Sequence, residues 1–78
     1  MTYAEITEVC YGVDGDEICR ESYECCEDAA DVIFLEAIHN QTYLYTVHVQ
    51  ADDNFADVST FDEHGMPYSF LKIKWLTD

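Results

Sequence analysis

Seventeen Asp and Glu against three basic residues, Arg20, Lys72 and Lys74, give this 78-residue chain a net charge of −14. That balance excludes direct binding to nucleic acid, which needs Lys and Arg to displace counterions from phosphates, and it disfavours anionic membrane surfaces. The length allows one domain, 1–78, with a modest core, and a hydrophobic content of 49% with six Tyr, four Phe and one Trp excludes an acidic disordered tail.

The first element is a strand over residues 3–11. Ala4, Ile6, Glu8 and Cys10 point one way and Tyr3, Glu5, Thr7, Val9 and Tyr11 the other. Asp14-Gly15 is a favoured pair for a two-residue type I′ hairpin. A second strand over 17–21 then returns with Cys19 opposite Cys10, Ile18 opposite Tyr11 and Glu21 opposite Glu8. Ser22 can cap a helix running from about Tyr23 to about Ile38. Its predicted buried stripe is Cys26, Ala29, Ala30, Ile33, Phe34 and Ala37. Glu24, Glu27, Asp28 and Asp31 form its exposed face, close to the N-terminal end where the helix dipole favours negative charge. His39 and Asn40 suit its C-terminal end.

Residues 42–50, TYLYTVHVQ, alternate cleanly and are rich in β-branched and aromatic side chains, the strongest strand signal in the chain. A polar connection over 51–54 leads to a strand over 55–61. Asp62-Glu63-His64-Gly65 reads as a type I turn closed by a left-handed Gly, and 67–76 form the last strand. The order ββαβββ predicts an α+β domain with one helix packed on an antiparallel sheet.

Spacing argues against catalysis. The cysteines fall as Cys10-x8-Cys19-x5-Cys25-Cys26, which fits neither structural zinc pairs nor a ferredoxin cluster. They are expected to be reduced and to serve as small apolar side chains, although Cys10 and Cys19 are placed closely enough for a disulfide under oxidation. His39, His48 and His64 lie in no metal-binding or nucleophile motif. Asp14, Asp16 and Glu17 surround one turn and Asp52, Asp53 and Asp57 another, but neither group meets the EF-hand pattern. No metal, cofactor or catalytic residue is assigned. MTYAEITEV has neither the basic region nor the apolar run of a signal peptide, and no segment reaches the roughly 20 apolar residues of a membrane span. A cytoplasmic location is expected.

The charge array itself remains. Ordinary solubility needs a net charge of magnitude roughly 2–8 in a small domain, and the excess opposes folding by self-repulsion. Alternate residues of a strand are about 6.8 Å apart and helical residues four apart rise about 6 Å, intervals comparable to successive phosphates. Glu8, Glu21, Glu24, Glu27, Asp28 and Asp31 are predicted to form one negative band, and Asp52, Asp53, Asp57, Asp62 and Glu63 a second group in the later loops. Tyr3, Tyr11, Tyr43, Tyr45 and Tyr68 are too many for one side of so small a core; they are either interface residues, a role Tyr favours, or half-buried residues of the sheet.

In length, charge, scarcity of basic residues and α+β plan, the chain resembles the small acidic inhibitors of phages and mobile elements. These are the DNA-mimic proteins, among them many anti-CRISPR proteins, restriction inhibitors and the uracil-DNA glycosylase inhibitor. The resemblance covers the whole chain in kind and rests on no shared motif. It implies a non-enzymatic viral inhibitor acting in the host cytosol by protein–protein interaction. Its partner would be a basic nucleic-acid-binding protein or complex, a CRISPR surveillance complex first among them. The two acidic groups would make the contact and no catalytic residue is carried over. The alternatives are an acidic interaction module without mimicry and a cation-binding protein.

Overall fold

A computed structural model describes residues 2–39 and 45–77. The elements follow the predicted order: β1 (Thr2–Tyr11), β2 (Glu17–Cys26), α1 (Glu27–His39), β3 (Thr46–Ala51), β4 (Phe55–Phe61) and β5 (Pro67–Thr77). The strands form one antiparallel sheet in the spatial order β2-β1-β5-β4-β3. The first and last strands therefore meet in its centre. The β2–α1–β3 connection starts at one edge of the sheet and ends at the other. Four strand spacings make about 19 Å, and the thirteen residues of α1 make a rod of about 20 Å. The helix is long enough to cross the sheet, and it packs on β2, β1, β5 and β4 along the way.

Strand alternation turns Ala4 and Ile6 of β1, Ala56 and Val58 of β4, and Leu71 and Ile73 of β5 toward the helix, where they cluster with Ala30. Ile6 and Ile73 are direct partners at the middle of the sheet. Ile33, Phe34 and Ala37 of α1 pack on the cluster, and Phe34 meets Trp75 edge-on with ring centroids 6.4 Å apart. Among the described residues no polar or charged residue is buried. Hydrophobic burial therefore holds the helix in place, at about 1.5–3 kcal/mol for each fully buried aliphatic side chain.

The helix begins at Glu27, not Tyr23. Residues 22–26 continue β2 and pair with 3–7 of β1. Ser, Tyr and Cys are weak helix formers, and β1 offers each of these residues a backbone partner. Ser22 consequently caps nothing; its hydroxyl lies 3.3 Å from that of Thr7 across the ladder. Cys26, placed by the sequence in the buried helical stripe, is an exposed strand residue, and Glu24 belongs to β2 rather than to the helix. The cysteines as a set are not core residues: Cys10 and Cys19 are also exposed and Cys25 is half-buried.

The first hairpin closes differently from the type I′ expectation, which requires two residues at positive φ. Only Gly15 has one here, at 86°. Gly15 N–H donates to Gly12 O at 3.0 Å and Gly12 N–H to Asp16 O at 2.8 Å. The second hairpin repeats the device, with Gly65 at 79° donating to Asp62 O at 3.0 Å and Asp62 N–H to Met66 O at 2.9 Å. A bulge after Cys10 sets Tyr11 opposite Glu17 rather than Ile18, while the pairs Cys10–Cys19 and Glu8–Glu21 stand as predicted. The strand expected over 42–50 starts at Thr46 and runs to Ala51, so Tyr45, placed within it by the sequence, lies just outside it. The expectations for Asn40 and for 42–44, Tyr43 included, fall outside the described residues.

Candidate partner-binding surface

The sheet has one side covered by α1 and one open side, and alternation assigns each strand residue to one of them. Arg20, opposite Val9, Lys72, opposite Thr7, and Lys74, opposite Glu5, all share the open side. Every Lys and Arg of the chain therefore lies away from the helix. Carboxylates accompany them there. Arg20 holds Glu17 at 2.7 Å, Lys74 lies between Glu5 and Phe55, and Lys72 between Thr7 and Asp57. Glu24 is opposite Glu5 in the same row as Lys74. It is thus separated from the negative band that the sequence assigned it to.

Glu8 and Glu21 share the parity of Ala4 and Ile6 and flank the helix on its own side of the sheet. Glu27, Asp28, Asp31 and Glu36 are exposed along α1. Glu36 lies outside the predicted band, which ends at Asp31, and extends it to the later turns of the helix. The outer face of the helix is not uniformly charged. Val32 and Leu35 are 54% and 53% exposed and stand among Asp28, Asp31 and Glu36 at helical spacing. These two apolar positions were also missed, although they lie off the buried stripe.

The second acidic group does not form one patch. Glu27 and Asp31 border a shallow cleft of about 320 Å³ together with Asp53, Asn54 and Trp75, so Asp53 joins the helix-side acids. Asp52 is committed to its turn, where Oδ1 accepts from Asn54 N at 2.7 Å and Phe55 N at 3.1 Å. Asp62 does the same at the opposite end of the sheet, accepting from His64 N at 2.9 Å and Met66 N at 3.0 Å. Glu63, beside it, is exposed and lies 3.6 Å from His64. Asp57 sits on the open side between Lys72 and Gln50, half-buried, with Oδ1 buried and unpaired.

Ionisation follows the same division. Burial raises the Tyr23 phenol above its ordinary value, with Glu8, Cys25 and Glu21 adding to the effect. Burial also raises the Cys25 thiol, helped by Cys26. Hydrogen bonding with Cys19, then desolvation, then the charges of Cys19, Glu8 and Glu21 raise Cys10. Tyr23, Cys25 and Cys10 all have helix-side parity. On the open side the raised group is a cation, Arg20, held by its hydrogen bond to Glu17.

A groove of roughly 550 Å³ opens where the helix leaves the sheet uncovered, floored by Val47, Val58 and Leu71 and edged by Glu8 and Glu36. Tyr45 and Tyr68 stack beside it with ring centroids 5.0 Å apart. Tyr68 is half exposed, whereas Tyr3, Tyr11 and Tyr45 are half-buried. Among the described residues no three His, Cys, Asp or Glu side chains are grouped so as to hold a metal ion, and no helix is long and apolar enough to cross a membrane. No protein-family model, curated protein or solved structure matches the chain.

Proposed function

We propose that the chain is a non-enzymatic inhibitor that sets its helix-bearing side against a basic nucleic-acid-binding protein or complex and keeps nucleic acid off it. The observation that carries this reading is the segregation of charge. All three basic side chains lie on the open side, whereas Glu8, Glu21, Glu27, Asp28, Asp31 and Glu36 line the other. Electrostatic complementarity of this kind steers encounter and excludes wrong partners. Asp53 extends the contact surface at the start of the helix. Glu24 and Asp57 are left out of it, and Asp52 and Asp62 serve as turn formers at its ends. A CRISPR surveillance complex is the first target to try, by the resemblance in kind.

The test is displacement of labelled DNA from purified nucleic-acid-binding complexes, that surveillance complex first. The expected result is competitive displacement that weakens as salt rises, with Asp28→Asn/Asp31→Asn weakening binding at least tenfold, about 1.4 kcal/mol. Binding indifferent to both DNA and salt overturns mimicry.

The exposure of Val32 and Leu35 favours a second reading, an ordinary protein–protein module with an apolar centre and an acidic rim. In that case Val32→Ser/Leu35→Ser abolishes binding, while the Asp28 and Asp31 changes leave it nearly intact and DNA does not compete.

A further inference from the structure

Cys10 of β1 and Cys19 of β2 are direct partners across the first hairpin, and both are exposed free thiols. Opposed residues of an antiparallel pair have Cα atoms about 4.5–5.5 Å apart, within the roughly 4.4–6.8 Å that a disulfide spans. Both side chains share the parity of Ala4 and Ile6 and so point to the same side of the sheet. The neighbouring rung on that side is Glu8 opposite Glu21, so two thiols and two carboxylates form a compact square. Cys25 and Cys26 differ: adjacent in one strand, they point to opposite sides of the sheet. Cys25 also packs on the core.

We propose that Cys10 and Cys19 form a reversible cross-strand disulfide, making this rung a thiol-oxidation site whose oxidant is a low-molecular-weight disulfide of the glutathione class. One cysteine, as thiolate, attacks a sulfur of the oxidant and expels one thiolate. The second cysteine, as thiolate, attacks the resulting mixed disulfide and expels the other. The two cysteines lose two protons and two electrons, and the oxidant becomes two thiols. The bond closes a short ring around the turn and fixes the register of the Glu8–Glu21 rung. The inference rests on the register of the hairpin and stands whatever partner the acidic side binds.

The sequence supplies a clean assay. Trypsin cuts after Arg20, so Cys10 and Cys19 fall in the peptide 1–20 and Cys25 and Cys26 in the peptide 21–72. The full chain is equilibrated with oxidised glutathione, free thiols are alkylated, and the digest is mapped by mass spectrometry. The expected result is a 1–20 peptide lighter by two hydrogens and unlabelled, with 21–72 carrying two labels, and full labelling of both after reduction. The oxidised chain melts on the order of 10 °C higher than the reduced chain. Cys25→Ser/Cys26→Ser retains the mass change, and the same treatment in urea loses the preference for 1–20. A native 1–20 peptide that takes two labels, a bridge from 1–20 to 21–72, or a covalent dimer through 1–20 overturns the proposal. The wild-type map decides the matter even if Cys10→Ser folds poorly.

Discussion

The two sides of the sheet divide the chemistry of the chain between them. The helix side holds the continuous apolar cluster, from Ala4 and Ile6 through Ile73 to Ala56, with Ala30 above it. It is bordered by carboxylates with no Lys or Arg among them. The open side carries all three basic residues, each near an acidic neighbour, and the ion pair Arg20–Glu17 on it is exposed on both partners. Such surface pairs contribute little to stability. The helix side thus supplies most of the buried apolar surface and the unbalanced charge, while the open side, apart from the buried Val9, is closer to an ordinary mixed surface. A chain with one modest core tolerates a net charge of −14 because its repulsion falls on groups that remain in water.

That contrast can be broken most forcefully in the core. Ile73→Ala should lower unfolding free energy by about 2–5 kcal/mol, a large part of the stability of a domain this size. Lys74→Ala, exposed on the open side, should change it by less than about 0.5 kcal/mol. Urea titration measures both, and equal effects would mean that the helix is not held by the cluster described above. The turns, which belong to neither side, should respond at an intermediate level. Gly65→Ala places a side chain at φ 79° with nothing within 4 Å to obstruct it, and should cost about 1–2 kcal/mol for the left-handed backbone alone. Gly15→Ala should cost at least as much, because its new Cβ would also lie 3.0 Å from the Met66 methyl.

Charge gives the next test. Melting temperature should rise by several degrees between low and moderate ionic strength as repulsion is screened. Asp28→Asn/Asp31→Asn on the helix side should reduce that response, whereas Lys72→Gln on the open side should enlarge it. An identical salt response in all three proteins would place the repulsion elsewhere. The smallest expected effect is alkaline. Cys10, Cys25 and Tyr23 have folded pKa values raised above those of the free groups. Their contribution to stability is complete below the unfolded thiol pKa and is lost as pH rises through the folded values. Chemical denaturation should therefore show stability declining from about pH 8.5 upward. Cys25→Ser should remove part of the decline, and a flat profile to pH 10 would contradict the raised values.

Local pattern was enough to read the inner rungs of the first hairpin, though not its turn type or the bulge that sets Tyr11 opposite Glu17. The alternation of Ala4 and Ile6 against Glu5 and Thr7, the Gly at the turn, and the rungs Glu8–Glu21 and Cys10–Cys19 all follow from residues close in sequence. The helix start was not readable in the same way. Glu24 and Glu27 look alike to a helical period, and what separates them is that β1 has backbone partners left for 22–26. Glu36, Val32 and Leu35 stand at helical spacing too, but nothing in that spacing separates an exposed apolar pair from the buried stripe; the packing of α1 on the sheet does.

The ββαβββ order, the two alternating sets of side chains on β1, and a surplus of negative charge that had to lie on the surface are all legible from residues close together in the chain. Where that surplus lies depends on long-range strand pairing and on the path of the helix. Pairing β1 with β5 brought Lys72 and Lys74 beside Thr7 and Glu5 and fixed them on the side away from the helix. Carrying α1 from one edge of the sheet to the other brought Asp53 to Glu27 and Asp31 and left Asp62 and Glu63 at the far end. Contacts between segments so far apart in sequence leave no periodic trace in it. They are set by which arrangement buries the apolar stripe of the one helix and pairs the most strand backbone.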